Sequence, residues 1–406
     1  MGVGVEVTKD VSKDLLSKLL TPIIRKLLGR LLSQQLPKVT SRVSKRVLDK
    51  LDQNEHIKII DIPSIGSMFK INSRVVPYTI LFDFPNIYKK TFEDKGFKSN
   101  PSEKNDNNDK AMNKLKGIIA KIQGEENVNE FITQAISEVA DKFNNDLEQG
   151  CQRSNNLMYG VAGIVFDKEG HRYVISLFKT DYFSFKVINK LYEKLVEKNS
   201  EFFCIKNLSD IERVSPYIAC FGVGGILNLN FHGINGVIIG QRSNSVACPG
   251  AWHLSFDETY DPRDKDPNKV GGESPDIHIC MKRGLVEELG INVDKLNYNI
   301  DKSCFVLIKT ENRFELGLFV YVDLFIKNKE ELYRNVANIA FASDIDNEYE
   351  QVQIIPKDEV LSILNNPENN KTPEAPVIWR TFELIDENKG FIAKTLCKLD
   401  KWLNKD

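Results

Sequence analysis

The chain has 406 residues, 41% of them hydrophobic and 28% charged, with a formal net charge of -2. That is the composition of a globular protein with room for two or three domains, each burying a core. The near-neutral balance argues against a wholly basic nucleic-acid binder, because phosphate contacts need a local excess of Lys and Arg.

In chain order, residues 1–54 read as a basic amphipathic helical region. Apolar pairs recur every four residues at Leu15/Leu16, Leu19/Leu20, Ile23/Ile24, Leu27/Leu28 and Leu31/Leu32. On a helix of 3.6 residues per turn such a stripe drifts by roughly 40° per repeat. Thr21-Pro22 reads as a capped restart and Pro37 as a break. From Lys9 to Lys50 eleven Lys or Arg face three acids, a local net charge of +8. Packing between helices as a homo-oligomer, contact with an anionic membrane surface and docking to nucleic acid all compete here. The last is the weakest, since aromatic side chains that would stack on bases are missing. "MGVGVE" approximates a myristoylation start except for Glu6, and no apolar run reaches the roughly 20 residues that span a bilayer.

Residues 55–97 hold short β-like runs, "IKIIDI" and "VVPYTILFDF", and residues 98–112 are a polar linker rich in Asn and Asp. Residues 113–215 read as an α/β region. It opens with helices interrupted at "GEENVN" and continues with a hairpin, "MYGVAGIVFD" and "RYVISLFK" about "KEGH". "SFKVINKLYEKLVEKN" follows with helical spacing. The seven cysteines are scattered without a CxxC pair and mostly in apolar contexts, which suits buried thiols in a reducing, cytoplasmic compartment. The five histidines are equally dispersed, so no zinc set is expected from spacing.

Residues 216–406 carry the candidate chemistry. "FGVGGIL" reads as a strand start rather than a phosphate loop, for want of a following helix. In "GGESPDIHICMKRGLVEELGI", residues 271–291, Ser274 is a candidate N-cap, Pro275 the first helical residue and Gly290 the stop. Ile277, Met281, Leu285 and Leu289 fall on one face as core. Arg283 stands four residues before Glu287 and is placed to hold it. The adjacent Glu287 and Glu288 repel unless a cation lies near, and oxygen ligands suit Mg²⁺.

"RGLVEELGI" resembles the second half of the Nudix box, G-x5-E-x7-R-E-U-x-E-E-x-G-U, through Arg283, Leu285, Glu287, Glu288, Gly290 and Ile291. Gly284 stands where the box has the first Glu of its R-E pair, and Pro275 stands at the position of the earlier Glu. Gly272-Glu273-Ser274 resembles the displaced "GES" of the box loop. Gly240-Gln241-Arg242 and Trp252 resemble the "GxR" and the Trp that precede that loop. The resemblance covers roughly residues 217–356. It implies an α+β fold with a mixed β-sheet sandwiched between helices, here with an additional helical N-terminal region and a mixed middle region.

The resemblance further implies a divalent cation, Mg²⁺ or Mn²⁺, on Glu287 and Glu288, with Glu273 or Glu258 completing the set where Gly284 has no carboxylate. Glu287, Glu288 and Glu350 are then the candidate catalytic residues, with Glu348 a neighbour of the last, and Arg242 and Trp252 would contact substrate. Two functions follow. One is binding and hydrolysis of a nucleoside diphosphate-linked compound. The other is a catalytically impaired nucleotide sensor that signals through the N-terminal helices, by oligomerisation or at a membrane. Both make a nucleotide or another diphosphate-containing small molecule the partner, and neither calls for nucleic acid.

Overall fold

The computed structural model describes residues 43–51, 55–65, 71–100, 108–150, 154–170, 172–232, 234–244, 246, 248–265, 275–339, 342 and 348–403. The apolar pairs of the N-terminal stripe, residues 101–107 of the polar linker, Glu273 and Ser274 lie outside these residues, while residues 108–112, expected as linker, are helical. The chain divides into two compact units, one of residues 1–50 and 385–406, the other of residues 51–384. In the first, residues 43–50 form a helix, α1, whose Val43 and Val47 are buried four residues apart, as one helical face requires. No helix among the described residues is long and apolar enough to cross a membrane.

The larger unit runs β1 (Ile57–Ile65), β2 (Ile71–Thr79), α2 (Asn86–Asp94), α3 (Asn108–Gln123), α4 (Val128–Glu148), β3 (Leu157–Asp167), β4 (Arg172–Asp181) and α5 (Tyr182–Val196). There follow α6 (Ile211–Val214), β5 (Phe221–Phe231), β6 (Ile234–Arg242), β7 (Trp252–His253), β8 (Phe256–Thr259) and α7 (Ile277–Leu289). It closes with β9 (Asn297–Lys309), β10 (Phe314–Ile326), α8 (Lys329–Ile339), β11 (Tyr349–Pro356), α9 (Val360–Asn365) and the start of α10 (Glu374–Leu403), whose residues from Ile385 on belong to the first unit.

The strands make two sheets. In the larger, the order is β1-β9-β10-β5-β6-β11, with β7 on β6 and β8 on β5. Only the β10–β5 pairing is parallel in it, so the sheet is mixed. In the smaller, β4 lies between β2 and β3. The architecture is α+β, as the resemblance implies. β10, "FELGLFVYVDLFI", is apolar on both faces, as expected of a strand covered twice. Leu316, Leu318, Val320 and Val322 share a core with Met281, Leu285 and Leu289 of α7. Strand alternation sends Tyr321 the other way, where its ring meets Trp379 and Phe382 of α10 at 6.4 and 5.8 Å. Helices thus cover both faces of the sheet.

The helix α7 starts later than its sequence suggests. Asp276, not Ser274, is its N-cap, accepting from the His278 N–H at 2.8 Å, and Pro275 precedes the helix. The cause is a bridge between Lys265 and Pro275, with the Asp276 N–H donating to the Asp264 carbonyl, which keeps the backbone extended up to Asp276. Gly290 ends the helix in the left-handed region, at φ 65°, and a Cβ there would lie 2.2 Å from the Asn338 carbonyl oxygen. Both facts favour glycine.

Candidate functional site

Arg283 organises the acidic end of α7. It is 13% exposed, and its Nε and Nη2 donate to the two oxygens of Asp264 at 2.8 and 3.0 Å. Nη2 also donates to the Thr259 carbonyl at 2.7 Å. Nη1 lies 2.7 Å from Glu258 Oε1 and 3.2 Å from Glu287 Oε2. The guanidinium therefore spends its donors on three carboxylates and one carbonyl. The fork on Asp264 is the bidentate geometry in which arginine binds carboxylate best. Burial opposes its charge, yet these partners raise the Arg283 pKa further.

Gly284, the residue after Arg283, makes room for Glu258. A Cβ on Gly284 would fall 2.8 Å from the Glu258 Cβ and 3.4 Å from its Cγ. The β8 side chain thus occupies the space that a side chain at position 284 would need. Burial pushes the Glu258 carboxyl up to about 7, against the pull of Arg283.

Glu288 is 5% exposed and turns away from Arg283. Its Oε1 accepts from the Asp257 N–H at 3.1 Å, and its Oε2 lies 2.7 Å from the Tyr349 hydroxyl. That hydroxyl also lies 3.0 Å from the Ser255 carbonyl and has one proton to give. Burial drives the Glu288 carboxyl well above its ordinary range, against the hydrogen bond from Tyr349. Tyr349 is thus held between two acceptors, the Glu288 carboxyl and the Ser255 carbonyl.

Glu287 is more open, at 28% side-chain exposure, between Arg283 and Arg263 Nη1 at 3.9 Å. Arg242 ends β6 with Nη2 3.7 Å from Glu348 Oε2, and its Nε is buried without a hydrogen-bond partner. Glu350 is exposed on β11, one residue beyond the buried Tyr349. Trp252 is 9% exposed on β7, its backbone bonded to Asn370 and Thr372. Beside it, His253 Nδ1 is 2.8 Å from the Thr372 hydroxyl, while Nε2 is 3.7 Å from Asp257.

A cleft of about 1130 Å³ opens against this cluster. Arg242, Asp257, Glu258, Arg263, Arg283 and Glu348 line one side of it. Among the described residues Glu287, Glu288, Glu350 and Trp252 do not line it. Asp264 and Tyr349, which hold Arg283 and Glu288, were not singled out from sequence. Asp264 lies between β8 and α7, outside the residues that match the box pattern, and Tyr349 carried no signal beyond strand alternation.

A divalent cation fits this donor set poorly. Carboxylate oxygens are the right chemistry for Mg²⁺ or Mn²⁺. Here, however, Glu258 and Glu287 face a guanidinium, and Glu288 is buried and hydrogen-bonded to Tyr349 and the Asp257 N–H. Among the described residues no three His, Cys, Asp or Glu side chains are placed to hold a metal together.

No family model matches the chain, and no curated protein does. Among solved structures, it is similar to a C. elegans Ap4A hydrolase binary complex at 13% identity, over 43% of this chain and 98% of that one, with a TM-score of 0.26. It is also similar to the Nudix domain of Shewanella oneidensis NrtR complexed with ADP ribose, at 14% identity over 42% and 87%, TM-score 0.27. A third likeness is to a Nudix hydrolase from M. smegmatis, RenU, at 11% identity over 41% and 85%, TM-score 0.26. Likenesses of this degree define no membership.

Proposed function

We propose that the domain around residues 217–356 binds a nucleoside diphosphate-linked compound and holds it without turnover. The observation that carries this reading is the internal pairing of the acidic cluster, in which Arg283 engages Glu258, Asp264 and Glu287 while Glu288 is closed off on Tyr349. Phosphate contact falls to cations on the cleft wall. Arg242 has a buried Nε without a partner, and Arg263 is 63% exposed. Arginine donors suit phosphate oxygens in pairs. Such a binder has the property a sensor needs. Its output would pass through residues 1–54, by self-association or at an anionic membrane.

One observation favours the rival reading, hydrolysis of the diphosphate link. Glu258 stands in the space opened by Gly284 with a pKa near neutrality, about 7. A carboxyl of that kind suits proton transfer near neutral pH. The two readings part in a single experiment. The whole protein is titrated with ADP, UDP and their sugar-linked derivatives, with and without Mg²⁺ or Mn²⁺, while binding and product release are both followed. Saturable binding that weakens in Arg242→Ala, without product, supports the binder. Product release that is lost in Glu258→Gln supports hydrolysis.

A further inference from the structure

The cleft has a second wall that the acidic cluster does not account for. It comes from α4 and α5, outside the segment that resembles the Nudix pattern, and includes Phe143, Tyr182, Phe185, Lys186 and Asn189. Phe319 of β10 and Arg313 line the side contributed by the larger sheet. A volume of about 1130 Å³ exceeds what a diphosphate needs, so this wall faces space for a second moiety.

The aromatic side chains of the wall suit a flat ring. Tyr182 stacks on Phe143 with centroids 5.8 Å apart and planes 8° from parallel. Lys186 Nζ lies over the Phe185 and Tyr182 rings at 4.8 and 5.2 Å. Lys190, the next cation on α5, is balanced by Glu193 at 2.8 Å and Glu138 at 3.4 Å, so its charge is already engaged within the protein.

Asn189 is the distinctive residue. It is 6% exposed, lines the cleft, and its Oδ1 is buried without a hydrogen-bond partner. Buried amide oxygens almost always have a partner, and an exception at a cleft wall points to a group brought by a ligand. An acceptor oxygen calls for an N–H. Asparagine meets amino-bearing bases in this way, with the amide turned about its last torsion to face the base.

We infer that α5 holds the nucleobase of the bound compound and that Asn189 selects a base carrying an amino group. This inference rests on the reading of the cleft as a diphosphate site. The bound molecule then lies across the cleft, its phosphates at Arg242 and Arg263 and its base on the α5 wall.

The test uses the full chain and isothermal titration with pyrophosphate, ADP, CDP and the two nucleotides in which hydrogen replaces the amino group of ADP or CDP. The better of ADP and CDP binds about tenfold tighter than its amino-free analogue, the order expected of one hydrogen bond. In Asn189→Leu that preference disappears, while pyrophosphate binds as in the wild type. Equal affinity for the pair in the wild type overturns the inference, as does a preference that survives in a folded Asn189→Leu variant. Should that variant not fold, the wild-type ratio alone decides. Pyrophosphate binding without base preference overturns this inference and leaves the diphosphate reading standing. Absence of binding by pyrophosphate and by every nucleotide overturns both.

Discussion

The Cβ that Gly284 lacks would lie 2.8 Å from the Cβ of Glu258. An alanine in a helix interior ordinarily gains about 1 kcal/mol over glycine. Here the clash reverses the sign, and Gly284→Ala is expected to lose about 1–3 kcal/mol in chemical denaturation, the usual cost of overpacking. Glu258→Gly in the same chain removes the opposing Cβ and relieves it. A double-mutant cycle with no coupling between the two positions would contradict this relationship.

Arg283 covers Asp264, whose side chain has 0% exposure. Arg283→Met leaves that carboxylate buried and unpaired, at a cost of about 3–5 kcal/mol. Adding Asp264→Asn recovers part of the loss in urea melts, since the buried charge goes with it.

Tyr349 closes two hydrogen bonds at once, with Glu288 and with Ser255. Tyr349→Phe strands both buried oxygens. The expected loss is about 1–3 kcal/mol, read as a lower urea midpoint with an unchanged slope.

Glu258 gives the fold a pH dependence of definite sign. Its carboxyl rises from 4.5 to about 7 on folding. At low pH both states hold the proton and the group contributes nothing. Between these values the folded state keeps a proton that the unfolded state has released, so this contribution to stability falls as pH rises. It levels off above about 7, at a cost on the order of 3 kcal/mol. Glu258→Gln carries no such penalty. The stability difference, variant minus wild type, therefore grows between pH 5 and 8, and a flat difference in parallel denaturation curves would count against the assignment.

Periodicity made the local elements legible. The alternating and continuous apolar runs marked the β3–β4 hairpin and the buried β10, and the i, i+4 spacing of Ile277, Met281, Leu285 and Leu289 marked the core face of α7. Pairings between distant segments were not legible. β1 joins the larger sheet by setting Ile57 against Ile308, and no local pattern carries that register. The start of α7 moved because a bridge between Lys265 and Pro275 lies outside any capping rule. Gly284 was visible as a missing carboxylate and Glu258 as one of several that might stand in. Their contact is a property of β8 packing on α7, which only the fold supplies. On β11, strand parity buries Tyr349 and exposes Glu350, a distinction that charge alone did not suggest.

Binding without turnover is tested most directly by following binding and product release together on the whole protein, with ADP, UDP and their sugar-linked derivatives in the presence of Mg²⁺. Saturable binding that Arg242→Ala weakens, with the bound compound recovered intact, is the expected result. Cleavage of the diphosphate link, dependent on Glu258, or the absence of any binding would contradict it.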